Sequence, residues 1–172
     1  MLLIADKTIR PGTGHGEGRA LLASLYREHT GNDLPPIETT ARGKPYFPGV
    51  PLHFSISHTK NHVFCALSDS PVGIDAEELD RNISLGLAEK VLSPGEKAQF
   101  DAAADKRLAL LTFWVLKEAT VKCTGEGLRG YPNHTDLSLD DPRVTTRNGC
   151  LVAVVNDRRG HPLLSVRAKD AP

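Results

Sequence analysis

The sequence predicts an α+β fold, which combines short strands with a few helices. Two patterns indicate it. Residues 52–58 read Leu-His-Phe-Ser-Ile-Ser-His, and this alternation of apolar and polar side chains is typical of a strand with one buried face. Residues 105–123 predict instead a long helix, with Trp114, Glu118 and Lys122 recurring every four residues along one face. At 172 residues, the chain is long enough for a single folding unit with a buried core.

The first part of the chain predicts one strand and one helix. The strand covers residues 1–5, and the helix covers about residues 19–29. Between them, residues 11–18 carry a glycine at every second position from 12 to 18, which fits neither GxGxxG nor GxxxxGK[ST]. We therefore predict a flexible connection there instead of a phosphate-binding loop. A polar, proline-bearing stretch follows at residues 31–51.

Two further strands are predicted directly after the alternating segment. Residues 62–67 and 72–77 are strand-like runs separated by Ser-Asp-Ser-Pro, which predicts a hairpin or a closely linked strand pair. Two more strands are predicted late in the chain, at residues 151–155 and 163–166.

Helices fill the region between these strands. One helix is predicted at residues 84–92, and another begins at Ser93. Ser93 and Glu96 have the spacing of a capping box, in which each side chain bonds to the other's backbone amide, and Pro94 suits the first helical position. The long helix at residues 105–123 comes next.

The overall composition excludes some classes of function. Basic and acidic residues number 21 each, so the net charge gives no reason to expect a nucleic acid or a membrane surface as partner. Apolar runs are only a few residues long, far short of the ~20 that cross a bilayer, and the N-terminal residues lack the core of a secretory signal. We therefore expect a cytoplasmic protein. Cys65, Cys123 and Cys150 have the spacing of neither a zinc site nor a disulfide framework.

Asp75 and Glu77 form the first candidate site. Side chains two apart on a strand project to the same face, so these two carboxylates lie side by side after the apolar run 72–74. Adjacent negative charges repel unless a cation lies between them, and oxygen ligands suit magnesium or manganese. The alternative is a solvated strand end, which the nearby Glu78 and Asp80 also favour.

The helical face with Trp114, Glu118 and Lys122 is the second candidate. One interpretation is an ion pair between Glu118 and Lys122 within the helix, with Trp114 in the core. The other is that Glu118 supplies a metal ligand or a base while Lys122 meets a negatively charged substrate. The spacing alone leaves both open.

Several other side chains are candidates for binding phosphate. Each is a cation, a hydroxyl or an imidazole near a helix start, a turn or a strand end, and each is weak evidence by itself: Arg19, Lys44, Ser57, His58 and Lys117. Ser57 and His58 do not suggest a nucleophile with its base, because neighbouring strand side chains point to opposite faces.

Four motifs occur in a specific order: Gly-Lys-Pro at residues 43–45, Phe-x-x-Ser-His at 54–58, Gly-Ile-Asp-x-Glu at 73–77, and Trp-x-x-Lys-Glu-Ala-x-x-Lys at 114–122. In type, order and spacing they resemble the motifs of the 4'-phosphopantetheinyl transferases, specifically the two-lobed, Sfp-type branch. The resemblance covers about residues 18–130, with shortened N- and C-terminal parts.

The resemblance implies a fold and a reaction. The fold has two pseudo-symmetric lobes, at about residues 1–70 and 71–172 of a single transferase unit, each with a small antiparallel sheet packed on a long helix. The reaction is the Mg²⁺-dependent transfer of the 4'-phosphopantetheine arm of coenzyme A to a serine of an acyl or peptidyl carrier protein, which releases adenosine 3',5'-bisphosphate. Because one chain contains both lobes, we expect a monomer with the cofactor between them.

The resemblance also implies roles for the candidate residues. Asp75, Glu77 and Glu118 would hold Mg²⁺, or equally Mn²⁺, on the pyrophosphate. Glu118 or a metal-bound water would remove the serine proton. Lys122 would neutralise charge that develops on the phosphate, with Lys117 as a weaker candidate.

The remaining candidates are implied to bind the cofactor's other end. Lys44, Ser57 and His58 would contact the adenosine 3'-phosphate, and Arg19 would contact the cofactor's phosphates. Because only about 18 residues precede Arg19 and the sequence stops at Pro172, two alternatives stay open. One is a coenzyme A-binding module without transferase activity, and the other is a metal-dependent phosphatase or pyrophosphatase.

Overall fold

The computed structural model describes residues 1–125 and 137–157. Its elements are, in chain order, β1 Leu2–Thr8, α1 Gly14–Thr30, β2 Glu38–Thr39, β3 Pro45–Tyr46, β4 His53–His58, β5 His62–Ser68, β6 Val72–Glu78, a 3₁₀ turn Leu85–Leu87, α2 Ala88–Val91, α3 Pro94–Ala102, α4 Lys106–Thr124, β7 Val144–Arg147 and β8 Cys150–Asn156. This confirms the predicted α+β fold. The strand predicted at residues 163–166 lies outside the described residues. Across both ranges, every helix is too short or too polar to cross a bilayer.

The first sheet has the strand order β1-β5-β4, with both pairs antiparallel. Helix α1 packs on one face of it, and the shared core includes Leu22, Tyr26, Phe47, Phe54 and Leu67. The aromatic rings of Phe47 and Phe54 lie 4.5 Å apart, so the loop between α1 and β4 is anchored in this core.

The second sheet has the order β6-β8-β7 and is also antiparallel. Helix α4 packs against it with a nearly continuous apolar surface that includes Leu110, Phe113 and Leu116. The closest approach is at Gly73 of β6, where an added Cβ would overlap the carbonyl oxygen of Ala119. A glycine is therefore required for α4 to lie so close to β6.

A third apolar cluster joins the two sheets. It combines side chains of the first sheet, such as Ile4 and Phe64, with Ile74 and Val152 of the second. Strands β4 and β6 run next to each other, although no backbone ladder joins them into one sheet. The candidate site lies along this junction.

Of the two alternatives predicted for residues 62–67 and 72–77, the hairpin is wrong, since the two strands are closely linked along the chain but do not pair with each other. Strand β5 pairs with β1 and β4, and β6 pairs with β8, so the link at residues 69–71 carries the chain from one sheet to the other. Turn-forming residues indicate a short connection but do not decide which strands pair. Because residues 63–67 and 72–76 are buried throughout, each strand has partners on both faces.

Helix α1 begins at Gly14, inside the segment predicted as a flexible connection. The glycines at 14 and 18 face β4, where an added Cβ would lie 2.6 Å from His58 Cγ and 2.8 Å from Ile56 Cγ2 respectively. These glycines therefore allow the helix to pack closely on the sheet, and their spacing of four is helical.

Strand β7 was not predicted. It forms a hairpin with β8 through Asn148 and Gly149, both of which have positive φ angles, 49° and 72°. An Asn-Gly pair is the preferred sequence for such a two-residue turn, so this signal was present in the chain. The strand predicted at residues 151–155 is confirmed within β8.

The helix starts predicted at Ser93 and at about residue 105 are confirmed. The single helix predicted at residues 84–92 is wrong, because a 3₁₀ turn leads there into the short helix α2 and Leu92 is already extended. Ser93 and Glu96 form the complete capping box at the start of α3. Asp105 caps α4 by accepting from the Leu108 amide, and α4 ends at Gly125, which has a φ angle of 74°. The long helix thus begins and ends close to where its capping residues predict.

Candidate active site

Two serines of β4 connect it to β6. The hydroxyl oxygen of Ser55 accepts from the Ile74 amide at 3.1 Å, and that of Ser57 accepts from the Ala76 amide at 3.2 Å. Ser57 also donates to Asp75 Oδ1 at 2.9 Å. These side chains replace the backbone ladder that the two strands lack, and Ser57 at the same time orients the Asp75 carboxylate.

Lys122 of α4 points into the same junction. Its ammonium donates to Asp75 Oδ1 at 2.7 Å, to the Ile74 carbonyl at 3.1 Å and to the Ile56 carbonyl at 3.5 Å. The predicted helical face of Trp114, Glu118 and Lys122 is therefore real, but the ion pair of Lys122 is with Asp75 of β6.

The Asp75 carboxylate is buried, with 6% of the residue exposed. Its Oδ1 accepts from Ser57 and Lys122, while Oδ2 has no hydrogen-bond partner among the described residues. A buried oxygen that carries part of a negative charge is costly without a donor or a cation. Asp75 Oδ2 therefore marks a position where a ligand is expected.

Glu118 lies near Asp75 on the helix side. Burial raises the pKa of the Glu118 carboxyl, the negative charge of Asp75 raises it further, and Lys122 and Arg81 act in the opposite direction. A half-buried carboxyl group whose pKa is raised by burial and by a neighbouring carboxylate is a common feature of functional sites.

Glu77 follows Asp75 on the same face of β6, but its carboxylate is bound by the guanidinium of Arg81. Arg81 also lies over the Trp114 ring, 5.9 Å from its centre. Arg81 was not identified from the sequence. A spacing of four residues, as between Glu77 and Arg81, is typical of an ion pair on a helix. Here Glu77 lies in β6 and Arg81 follows the end of that strand, with no helix at this point.

We call the three carboxylates of Asp75, Glu77 and Glu118 the acidic triplet. They are the candidate ligands of a cation. Within residues 1–125 and 137–157, no three His, Cys, Asp or Glu side chains are already arranged as a metal centre, since Glu77 is turned to Arg81. The orphaned Asp75 Oδ2 and the neighbouring Glu118 nevertheless fit a divalent cation, because hard oxygen donors and uncompensated negative charge are what Mg²⁺ or Mn²⁺ requires.

A cavity of about 250 Å³ opens between β4, the loop at residues 42–45 and the C-terminal end of α4, and it shares Lys122 with the acidic triplet. Its lining includes cationic and apolar side chains: Arg42, Lys44, Lys122, Pro45, Phe54, Ile56 and Val121. Three cations around one small cavity suit a ligand that carries phosphate groups. The sequence did not indicate that Arg42 and these apolar side chains line the cavity.

Lys44 crosses this cleft. Its ammonium donates to the Cys123 carbonyl near the end of α4, and its stem packs on Gly125, where an added Cβ would lie 2.8 Å from Lys44 Cδ. Burial lowers the pKa of Lys44. The lysine therefore lies in the cavity, where its ammonium caps the C-terminal end of α4.

Lys117 lies elsewhere, and its expected contact with a cofactor is corrected. Its ammonium is 2.7 Å from Glu96 Oε2, and both side chains are almost completely buried between α3 and α4. Glu96 also accepts from the amides of Ser93 and Leu137. A lysine in this position has no access to the cleft, because successive residues of α4 point about 100° apart.

The remaining phosphate candidates lie on or near α1. Arg19 is exposed on its outer side, and His58 is at the end of β4 against Gly14. Neither contacts the acidic triplet. Ser57 is buried and its hydroxyl is already engaged with Asp75 and Ala76, so its observed partners differ from the phosphate that we expected.

The fold and the cleft define the chain as an α+β protein with two three-stranded sheets, in which carboxylates of β6 and α4 lie close to the cations of the cleft. A family model described as the 4'-phosphopantetheinyl transferase superfamily matches residues 71–162, which is more than half of the chain. The chain therefore belongs to this superfamily.

Curated relatives agree with this family. The chain is 34% identical over 132 residues to a 4'-phosphopantetheinyl transferase of Bacillus subtilis, which covers 75% of this chain and 55% of the relative. It is 38% identical over 96 residues to 4'-phosphopantetheinyl transferase Sfp of Bacillus subtilis strain 168, which covers 54% and 42%. For 4'-phosphopantetheinyl transferase AcpT of Escherichia coli K12, the values are 40% over 113 residues, 63% and 55%.

These matches confirm the resemblance to the Sfp-type branch of the 4'-phosphopantetheinyl transferases. The chain spans about half the length of the curated relatives it matches.

Proposed function

We propose that the protein transfers the 4'-phosphopantetheine arm of coenzyme A to a serine of an acyl or peptidyl carrier protein and releases adenosine 3',5'-bisphosphate. The observation that carries this proposal is that Lys122 lines a cavity together with Arg42 and Lys44 and also binds Asp75 of the acidic triplet. A pyrophosphate ligand in the cavity would thus reach the carboxylates through one shared side chain.

The cations of the cleft would bind and orient coenzyme A. We assign Lys44 and Arg42 to the phosphate of the adenosine end, with Lys44 leaving the Cys123 carbonyl for the anion. Phe54 and Ile56 offer an apolar surface to the base. His58 and Arg19, at the edge of α1, are proposed to contact outer phosphates of the cofactor.

Asp75, Glu77 and Glu118 would hold one Mg²⁺ or Mn²⁺ ion, with Ser57 keeping Asp75 in place. When bound, this ion would offset negative charge on the pyrophosphate and make its phosphorus easier to attack.

The protein's own groups carry the other parts of the reaction. The serine hydroxyl oxygen of the carrier forms a bond to the phosphorus next to the pantetheine, and the bond from that phosphorus to the bisphosphate breaks. Glu118 takes the serine proton, for which its raised pKa suits it. Lys122 neutralises charge on the departing phosphate.

The cavity is lined by β4, the loop at residues 42–45 and α4 of one chain, which also carries the acidic triplet, and we propose a monomer. The balanced charge favours neither nucleic acid nor a membrane surface as partner, and we propose that the protein acts in the cytoplasm.

The test is incubation with coenzyme A, Mg²⁺ and a panel of apo carrier proteins, followed by mass spectrometry of each carrier. A gain of one phosphopantetheine arm is expected, and Asp75→Asn should abolish it. Asp33→Asn, which changes an exposed aspartate paired with Arg27, is the matched control and should retain transfer. Coenzyme A binding without transfer, or release of adenosine bisphosphate without any carrier, would support the two alternatives and overturn the proposal.

A further inference from the structure

The positive charges around the acidic triplet are divided between its two sides. On the inner side, Lys122 binds Asp75. On the outer side, Arg81 binds Glu77 and is close enough to Glu118 to lower its pKa. Two cations of the chain itself thus face three carboxylates, and the outer one holds the carboxylate that completes the triplet.

Arg81 is fixed in this position by contacts that do not involve the carboxylates. Its guanidinium lies over the Trp114 ring, and its backbone carbonyl accepts from the Arg107 guanidinium, which also binds the Leu79 carbonyl. The side chain is partly exposed, at 39%, while that of Glu77 is at 20%. The guanidinium can therefore leave Glu77 for solvent without unpacking the core.

The geometry points to Arg81 as a resident counter-ion that competes with the divalent cation for Glu77 and so sets the affinity of the acidic triplet for metal. This inference rests on the proposed metal-binding role of the triplet. A guanidinium bound to Glu77 blocks an oxygen donor and adds a positive charge near the cation. Metal binding then requires Glu77 to exchange Arg81 for the ion, while Trp114 keeps the displaced guanidinium at the edge of the site.

The competition explains why the triplet is not already arranged as a metal centre. Three carboxylates close together repel one another unless a cation lies between them. Arg81 supplies a positive charge to Glu77 at a partly buried position. Arg81 is therefore a positioning residue, because it acts through Glu77 and not on the reacting atoms.

The test measures Mn²⁺ binding to the full chain by calorimetry, without coenzyme A or carrier. Arg81→Gln is expected to bind Mn²⁺ about three- to tenfold more tightly than the unchanged protein. Arg27→Gln is the matched control, because Arg27 also pairs with an aspartate but lies on α1 away from the cleft, and its affinity should be unchanged.

A second pair of variants separates competition for Glu77 from a general effect of charge. Glu77→Gln should bind Mn²⁺ more weakly, and Arg81→Gln added to Glu77→Gln should give little or none of the gain seen in the unchanged background. Equal affinity of Arg81→Gln and the unchanged protein, or the same gain in both backgrounds, would overturn the inference. If none of the variants binds Mn²⁺ while the carrier mass assay still shows transfer, the metal role of the triplet fails together with this inference, and the transferase proposal stands.

Discussion

Lys122 Nζ lies 2.7 Å from Asp75 Oδ1, and the same ammonium donates to the backbone carbonyls of Ile56 in β4 and Ile74 in β6. One side chain of α4 therefore joins strands from both sheets and neutralises a buried carboxylate. The residue that we propose to neutralise the departing phosphate also stabilises the fold around it.

Removal of this ammonium should destabilise the protein. Lys122→Met keeps the apolar stem but leaves Asp75 as a buried, uncompensated charge, so the free energy of unfolding should fall by about 1–3 kcal/mol. Urea denaturation measures the loss, and adding Asp75→Asn should recover much of it. Lys97→Met, which removes a lysine from an exposed pair with Glu89, is the control and should change stability little. A loss no larger than that of the control would contradict the structural role.

Close packing of α4 on β6 predicts that Gly73 does not tolerate a methyl group. Gly73→Ala places the new Cβ against backbone atoms of Ala119 and Cys123, which no side-chain rotation relieves, so stability should fall by more than about 3 kcal/mol. Gly16→Ala is the matched control, because nothing lies near its Cβ position in helix α1. That change should raise stability by about 0.5–1 kcal/mol, since alanine is the better helix former. Thermal unfolding of both variants provides the comparison.

Much of this fold could be predicted because its signals are local. The capping box at Ser93 and Glu96 and the helical face of Trp114, Glu118 and Lys122 depend on residues a few positions apart, and the structure has them where the sequence places them. The hairpin of β7 and β8 is also encoded locally, by the Asn-Gly turn at residues 148 and 149, although β7 was not predicted.

The candidate site was harder to predict because it is assembled from distant parts of the chain. Strand spacing correctly placed Asp75 and Glu77 on one face of β6. The side chains that contact them come from other parts of the chain: Ser57 from the first sheet, Lys122 from α4, and Arg81 from the segment after β6. The turn-forming residues between β5 and β6 likewise did not show that these two strands belong to different sheets. Spacing along one element gives neighbours on that element, and only the order of the motifs suggested which elements meet.

The buried ion pair of Glu96 in α3 and Lys117 in α4 leads to a prediction about the stability of the protein. Glu96→Gln removes the carboxylate that pairs with the Lys117 ammonium at a fully buried position and weakens the bond to the Leu137 amide, so it should cost about 3–5 kcal/mol. Glu96→Leu combined with Lys117→Met replaces both charges with apolar groups and should be clearly more stable than Glu96→Leu or Lys117→Met alone. Chemical denaturation of the unchanged protein and of these four variants tests this. Additive losses in the double variant would show that the two charges do not depend on each other.

The lowered pKa of Lys44 predicts how binding of adenosine 3',5'-bisphosphate depends on pH. Burial favours the neutral amine, so in the free protein Lys44 loses its proton at a lower pH than an ordinary lysine. Only the protonated form attracts the phosphate, and affinity should therefore fall as the pH rises through this lowered pKa, before exposed lysines titrate. Calorimetry between neutral and alkaline pH measures the decline.

Two variants assign that decline to Lys44. Lys44→Arg keeps its charge across the whole range, so its affinity should stay nearly constant with pH. Lys44→Met should bind about tenfold more weakly at neutral pH, the loss expected for one charge-assisted hydrogen bond, and should show no further decline. A decline of equal size in all three proteins would mean that another group titrates and that Lys44 stays on the Cys123 carbonyl when the phosphate binds.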